Sequence, residues 1–398
     1  MAETARDFDL LDGGWYVNDP YPDYAWLREN APAYWDAGNE LWGISRYDDI
    51  VEIEKRKDVF VNSDNEKGGY RPNIPADPSI IGLDDPKHAE RRNLVSRRFT
   101  PRAVTRWEDH VRETVTQLVD RAVAKGRIEV VEDLAAPLPA QMIGFLLGFP
   151  DEAWPQLKDW SERTICLGGG PRYHDEAGIA AAFEFAGACA ELYEAKKGCP
   201  ADDIVSLYVD VEQRGLKHQD FGLDEIISDS LLLLDGGAET TRTVIARTIL
   251  GLADHPDQWE ALKAGADIDV AVEEFIRWVT PILNMCRVAN QDHEIGGQTI
   301  RKGQQVVLMY PSANRDEAHF TDPDALDVTR QPNNHIAFGF GTHFCLGASL
   351  ARLEIKAMFQ ELLAKVDRFE RPTQGTVVDI PNSFVYGVKR ADVTLVAH

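Results

Sequence analysis

The sequence predicts a mainly helical fold with a smaller β portion. Residues from about 102 to 274 carry a mostly helical pattern of apolar side chains, and the longest helical candidate within them covers residues 224–252. A short apolar run at residues 305–309 predicts a β-strand. A second helical pattern covers residues 346–363, so helical segments dominate the chain.

The β portion is expected in two main places. Near the N-terminus, Trp35 and Trp42 lie in short apolar runs on either side of the turn residues 36–39, as in a β-hairpin. Between residues 286 and 310, glycines mark turns between further strands. We therefore expect β-rich parts at roughly 30–60 and 285–310 and near the C-terminus, and helical parts at roughly 85–280 and 346–365. Because no repeat or linker interrupts the chain, we predict one domain over residues 1–398.

The composition is that of a globular protein with an excess of acidic residues. Of the 398 residues, 44% are hydrophobic and 27% are charged, and the formal net charge is −24. This charge argues against nucleic acid, whose phosphates require Lys and Arg, and against anionic membranes. The longest aliphatic run, residues 231–234, is too short for a membrane span. Because the acidic N-terminus is unlike a signal peptide, we expect a cytoplasmic protein.

One cysteine stands in an unusual setting. Cys345 lies in the segment FGFGTHFCLG, residues 338–347, among three glycines and three phenylalanines. It could be a packed core thiol, half of a disulfide, a nucleophile with His343 as its base, or a ligand to a metal or haem. The five cysteines are odd in number and include no C-x-x-C pair, which disfavours a disulfide framework and a zinc site.

The residues around Cys345 favour a thiolate. Gly339, Gly341 and Gly347 allow tight turns that bring backbone N–H groups close to the sulfur. A helix that begins just after Cys345 adds its positive end, which stabilises a thiolate over a thiol. A ligand and a nucleophile both remain possible at this point.

Two adjacent glycines lie inside the longest predicted helix. On that helix Leu233, Gly236 or Gly237, Thr240 and Val244 share one face. Each glycine costs roughly 1 kcal/mol relative to Ala, which indicates that a flat cofactor or a small ligand approaches the backbone there. The Thr240 hydroxyl can bond to a neighbour or to water, and its neighbour in sequence, Glu239, offers a carboxylate for proton relay.

Four motifs in this order resemble the cytochrome P450 superfamily of haem-thiolate monooxygenases. Residues 338–347 resemble its haem-binding loop, and residues 236–241, GGAETT, resemble its oxygen-activation motif. Residues 274–277, EFIR, are similar to its E-x-x-R motif, and His88 with Arg92 is similar to its haem-propionate pair. The resemblance implies a P450 fold in which haem lies between the long central helix and the helix after Cys345.

The resemblance also implies roles for individual residues. Cys345 would be the proximal thiolate ligand of haem b, and Thr240 and Glu239 would deliver protons to dioxygen, the co-substrate. Glu274, Arg277 and Arg330 would form a buried structural network. The residues expected to contact haem are Cys345, His88, Arg92, Arg287, His343, Gly237 and Phe338.

The substrate and the redox partner are also predicted from the resemblance. The expected substrate is apolar, for example a steroid, a terpenoid or a lipid side chain, and the expected electron donors are ferredoxin and ferredoxin reductase. Residues 87–102 carry six Lys or Arg and one Glu, so Arg91, Arg98 and Arg102 are expected to face solvent and dock an acidic ferredoxin. The substrate-contact candidates are Ile81, Leu233, Ile282, Leu283, Asn284, Met285 and Val385.

Three other functions are weighed against a monooxygenase. A peroxygenase that uses hydrogen peroxide would be expected to lack the acid and alcohol at Glu239 and Thr240. A non-catalytic haem sensor or carrier would consume oxygen slowly with every substrate. A Cys-His hydrolase would carry no haem at all.

Overall fold

A computed structural model describes residues 6–63, 68–372 and 377–398. Helices dominate it and strands form a smaller part, so the predicted fold class is confirmed. Its α-helices are α1 (Gly13–Val17), α2 (Tyr21–Asn30), α3 (Tyr47–Lys55), α4 (Lys87–Ser96), α5 (Pro101–Val104), α6 (Glu108–Lys125), α7 (Pro137–Leu147), α8 (Trp154–Thr164), α9 (Glu176–Gly198), α10 (Ile204–Arg214), α11 (Leu223–Asp254), α12 (Pro256–Lys263), α13 (Ile268–Val279), α14 (Tyr310–Ala313) and α15 (Ala348–Lys365).

The strands form one larger sheet and two smaller ones. The larger sheet has the order β1-β2-β8-β5-β3, in which β2 and β8 are parallel and the other pairs are antiparallel. The strands are β1 (Ala33–Asp36), β2 (Leu41–Ile44), β3 (Phe60–Val61), β4 (Arg127–Glu129), β5 (Asn284–Ala289), β6 (His293–Ile295), β7 (Gln298–Ile300), β8 (Gln305–Met309), β9 (Val366–Glu370), β10 (Val377–Asp379) and β11 (Val388–Ala397).

The predicted elements lie close to the observed ones. The hairpin is β1 and β2, the strand at 305–309 is β8, and the long helix at 224–252 is α11, which extends it by one or two residues at each end. The expected β-rich part at 30–60 is only partly correct, because α3 lies within it. Ile50, Val51 and Ile53 of α3 are buried, and they cover one face of the larger sheet.

The 32-residue helix α11 is the central element of the helical part. Its N-terminus is capped by the Glu225 side chain, which accepts a hydrogen bond from the Gly222 N–H. From Asp229 onward most of its residues are buried, and it packs against α7, α8, α9, α13 and α15. No helix in the described ranges is long and apolar enough to span a membrane.

Candidate functional site

A central cavity lies between α11, the Cys345 loop and the start of α15. Its wall includes Leu233, Gly236, Gly237, Thr240 and Val244 of α11, so the helix face predicted from the sequence is the face that lines the cavity. On the opposite side it is lined by Phe338, Gly339, Cys345, Leu346 and Gly347. Gly236 faces open space, because a Cβ added there would have no neighbour within 4 Å among the described residues, whereas one added to Gly237 would contact Ile143 at 3.2 Å.

The Cys345 loop holds the sulfur at the N-terminal end of α15. The Cys345 N–H donates to the Phe338 carbonyl over 2.8 Å, which closes the loop. Burial raises the pKa of the Cys345 thiol, while the backbone N–H groups of Gly347 and Ala348 and the charge of Arg92 act in the opposite direction. Those N–H groups belong to the start of α15 and favour a thiolate, whereas burial, the larger effect, favours the thiol.

Two glycines of this loop are required by the backbone. Gly339 and Gly341 have φ values of +70° and +68°, which glycine adopts without strain. A Cβ on Gly341 would also lie 2.6 Å from the carbonyl oxygen of Glu54 in α3. A larger residue at 341 would therefore push the Cys345 loop away from α3.

One edge of the cavity collects nitrogen donors. His88 and Arg92 of α4, Arg287 of β5 and His343 of the loop all line it, and the rings of His88 and His343 lie 4.2 Å apart. Burial lowers the pKa of both histidines, and neighbouring arginines add to the effect. Neither His88 nitrogen has a hydrogen-bond partner among the described residues, although Asp85 Oδ1 lies 3.5 Å from Nδ1 without hydrogen-bond geometry.

One acid at this edge, Glu54, was not predicted from the sequence. Glu54 of α3 is 6% exposed, lies 3.1 Å from the Arg287 guanidinium and accepts a hydrogen bond from the Tyr310 hydroxyl over 2.8 Å. Burial raises the pKa of its carboxyl, and Arg287 acts against that effect. Because Glu54 reaches the cavity from a distant part of the chain, no local motif marks it.

The residues present fit haem b. The cavity offers one thiol at the positive end of a helix, which is the donor set of a singly ligated haem iron rather than of a metal held by protein side chains alone. Two arginines and two neutral histidines at one edge can hold two propionates, and the unpartnered nitrogens of His88 are available for that purpose. Gly236 leaves the opposite face of the cavity open.

Thr240 and Glu239 point in different directions. The Thr240 hydroxyl donates to the Gly236 carbonyl over 2.8 Å and lines the cavity. Glu239 is 1% exposed, and its Oε1 lies 3.1 Å from Nη1 of Arg242, also on α11, which in turn contacts Glu162 of α8. Burial raises the pKa of Glu239, and the charge of Arg242 opposes this. The two residues are adjacent in sequence, but only Thr240 lines the cavity.

Glu274, Arg277 and Arg330 meet in a buried network. Arg277 donates to both Glu274 oxygens over 2.7 and 2.8 Å, and Arg330 Nε lies 3.1 Å from Oε2. Arg277 also donates to the carbonyls of Asn314 and Pro323, which lie on the irregular segment before the Cys345 loop. The network therefore ties α13 to that segment.

Four of the seven substrate candidates line the cavity and three do not. The four are Ile81, Leu233, Ile282 and Met285, and Ile80 and Phe384 join them. The prediction that Leu283 contacts the substrate is wrong, because Leu283 packs with the N-terminal cluster around Phe8 and Leu10. The prediction for Asn284 is also wrong, because its amide donates to the Tyr16 hydroxyl and the Ser383 carbonyl. Val385 does not line the cavity either, because it is fully buried behind the wall.

The expected docking residues are corrected in part. Arg91 is only 1% exposed and forms a buried ion pair with Asp229 of α11, so the expectation that it faces solvent is wrong. Arg98 is half-buried and pairs with Asp202 over 2.8 Å. It does not share a helix face with Arg91, because α4 ends at Ser96. Arg102 is exposed.

Comparisons with known proteins agree with this geometry. A model of the cytochrome P450 family matches residues 268–395. A steroid C26-monooxygenase of Mycolicibacterium smegmatis is 36% identical over 390 residues, which are 96% of this chain and 95% of that protein. Linalool 8-monooxygenase of Pseudomonas putida is 33% identical over 409 residues, covering 98% of each.

A solved structure extends the likeness to the fold. CYP109E1 of Bacillus megaterium in complex with testosterone has a TM-score of 0.86 at 32% identity, covering 94% of this chain and 97% of that one. The resemblance predicted from four motifs is thereby confirmed over nearly the whole chain. The chain belongs to the cytochrome P450 family of monooxygenases, whose cofactor is haem b and whose co-substrate is dioxygen.

Proposed function

We propose that this protein hydroxylates an apolar substrate of the steroid or terpenoid type. The observation that carries the proposal is a cavity in which the Cys345 sulfur and Thr240 of α11 face the same space. Two relatives that match it over nearly the whole chain are a steroid C26-monooxygenase and linalool 8-monooxygenase. The apolar side chains of the cavity wall suit substrates of that kind.

The chain's own residues hold the substrate and the protons of this reaction. Haem b, when bound, activates dioxygen so that one oxygen atom enters a C–H bond and the other leaves as water, with two electrons and two protons consumed. The apolar wall excludes water and orients the carbon to be attacked. We assign to the Thr240 hydroxyl the donation of a proton at the cavity wall.

Glu239 is the residue that we assign to proton supply. Its carboxyl is connected to the surface through Arg242, which also contacts Glu162, a residue whose side chain is 30% exposed. Lys158 lies 3.0 Å from Glu162 and 2.7 Å from Glu132, whose side chain is 58% exposed. Because an arginine does not release its proton, Arg242 holds Glu239 in place, and protons reach its carboxyl by movement of Glu239 or through water.

We further propose that the electrons come from an acidic iron–sulfur ferredoxin that is reduced by a ferredoxin reductase. Helix α5 packs on α15, which begins beside Cys345, so Arg102 of α5 lies on the thiolate side. Arg97, Arg102 and Arg106 are exposed there, and we call them the basic patch. On a protein with a net charge of −24, such a patch is the surface that an acidic partner would approach.

Reversing one charge of the basic patch should slow electron transfer. Arg102→Glu is expected to lower the rate of reduction by an acidic ferredoxin about tenfold at low salt, and high salt should remove the difference. Stopped-flow reduction of the haem would measure this rate. Lys389→Glu is the matched control, since Lys389 is also exposed but lies on β11. Equal slowing by both variants, or by neither, would contradict the assignment.

Isotope labelling tests the proposed reaction. The protein, supplied with ferredoxin, its reductase and NADH, should convert a steroid or terpenoid to an alcohol that contains one atom from labelled dioxygen. Mass spectrometry of the product measures the incorporation. Label from water or from hydrogen peroxide in place of dioxygen would contradict a monooxygenase.

A further inference from the structure

Among the charged side chains of the cavity wall that neither haem binding nor proton supply explains are Arg71 and Asp235. Arg71 precedes the short turn at Ile80–Gly82, and Asp235 lies on α11. Around them the wall is apolar, with Ile81, Leu233 and Ile282 among its residues. A polar or charged group in such a wall is costly to bury unless it is hydrogen-bonded or paired.

The carboxyl of Asp235 is only partly used by its neighbours. Its Oδ1 lies 2.7 Å from the Thr164 hydroxyl, whose oxygen is also 2.8 Å from the Trp160 carbonyl. Within the described ranges Thr164 makes the one well-formed hydrogen bond to Asp235, although the residue is only 7% exposed, and the neighbouring Ser161 hydroxyl, which has no other partner, also acts on this carboxyl. Asp235 therefore keeps hydrogen-bonding capacity for a ligand on the cavity side.

The protonation of Asp235 favours a neutral ligand group. Burial raises its pKa to about 8, although the hydrogen bond from Thr164 and the charge of Arg71 oppose this. A protonated Asp235 either donates from Oδ1 to Thr164, which leaves Oδ2 as an acceptor, or carries its proton on Oδ2 as a donor. A hydroxyl group both donates and accepts, so it matches either arrangement, whereas a ketone or an ether matches only the second.

Arg71 contributes donors to the same corner without adding net charge. Its Nη1 lies 3.7 Å from Asp77 Oδ2, which balances the guanidinium, and its Nε has no acceptor among the residues described. Asp77 is held in turn by the Tyr70 hydroxyl over 2.6 Å and by the Ser79 N–H over 3.0 Å. Arg71 and Asp235 line the same cavity and lie close enough for each charge to act on the pKa of the other, so a ligand hydroxyl between them can accept from Arg71 while it bonds to Asp235.

We propose that Asp235 and Arg71 form a specificity site for a neutral hydroxyl group, so the substrate is an apolar alcohol. This rests on the proposed function and names the substrate class more closely. Asp235 precedes Thr240 by five residues, which is about 7.5 Å along the helix axis. This short spacing suits a compact terpenoid alcohol.

Matched ligands test the proposal in the haem-loaded protein. Linalool and its deoxy analogue, 3,7-dimethylocta-1,6-diene, share one skeleton, and their Kd values can be read from the change of the Soret band on binding. Linalool should bind about tenfold more tightly, because the analogue leaves Asp235 and Arg71 without a partner. Equal affinity, tighter binding of the analogue, or binding of neither would overturn the proposal.

Variants assign the preference to Asp235. Asp235→Leu should abolish the preference for linalool, and Asp235→Asn, which can still accept and donate, should keep most of it. Ile282→Val is the control, since it changes the apolar wall and should weaken both ligands alike. A preference that survives in Asp235→Leu would overturn the assignment.

The failure of this inference can be told from the failure of the proposed function. A wild-type protein without a thiolate-ligated haem spectrum would overturn the function itself. A normal spectrum with no preference between the two ligands would overturn only the hydroxyl site. Should Asp235→Leu not take up haem, the comparison of the two ligands in the wild type still decides.

Discussion

Glu274→Ala is expected to destabilise the protein by about 3–5 kcal/mol, because it leaves two buried arginine charges without their carboxylate. Glu274, Arg277 and Arg330 are at most 8% exposed, and the Asp327 N–H also donates to Glu274 over 2.9 Å. The same change should loosen the segment before the Cys345 loop, so haem should be lost faster. Urea unfolding followed by circular dichroism measures the first effect, and haem transfer to apomyoglobin measures the second.

The neighbouring glutamate supplies a matched control. Glu273 lies beside Glu274 on α13, but its side chain is 29% exposed, and it contacts the partly exposed Arg352 over 2.6 Å and the buried ring of His335 over 3.1 Å. Glu273→Ala should cost about 1–2 kcal/mol, since water solvates the arginine that is left behind and one hydrogen bond of His335 is lost. Similar small losses for both variants would show that the Glu274 network does not hold this part of the fold.

Glu239→Gln is expected to slow hydroxylation about a hundredfold, because the amide cannot supply a proton. Haem content and stability should change little, since Gln still accepts a hydrogen bond from Arg242. Steady-state turnover in normal and heavy water measures the effect, and the solvent isotope effect should rise in the variant. The pKa of Glu239 is raised by burial, so the residue keeps its proton at a pH at which an exposed glutamate has lost it.

Glu162→Gln separates proton supply from charge balance. Glu162 contacts the same Arg242, but its partly exposed position lets water take over its role, so only a few-fold loss is expected. If both variants lose the same activity, the effect belongs to the placement of Arg242 and not to a proton on Glu239. If neither variant loses activity, Glu239 has no part in proton supply.

The sequence predicted those parts of the site in which the functional residues lie close together along the chain. The glycines and Cys345 stand within ten residues, and Thr240 follows a pair of glycines in an uninterrupted helical pattern. In each case the backbone requirement and the reacting group lie in the same segment. The residue types and their spacing therefore carry the function without any knowledge of distant contacts.

The residues that were placed wrongly depend on register or on distant partners. Met285 and Arg287 face the cavity from β5, whereas Asn284 and Cys286 face away. Because both faces of this strand are mostly buried, the sequence pattern does not show which residues face the cavity. Arg91 was expected at the surface. Its buried partner, Asp229, lies 138 residues away in the sequence, so no local pattern predicts their contact. A binding role for Asp235 could not be predicted from the sequence, because that role depends on its position in the cavity wall.

The visible spectrum of the reduced protein with carbon monoxide tests the central claim most directly, in the wild type and in Cys345→Ser. Thiolate ligation predicts a far red-shifted Soret band in the wild type that disappears in the variant. A colourless wild-type protein, or a variant whose spectrum is unchanged, would contradict the assignment of Cys345 as the haem ligand.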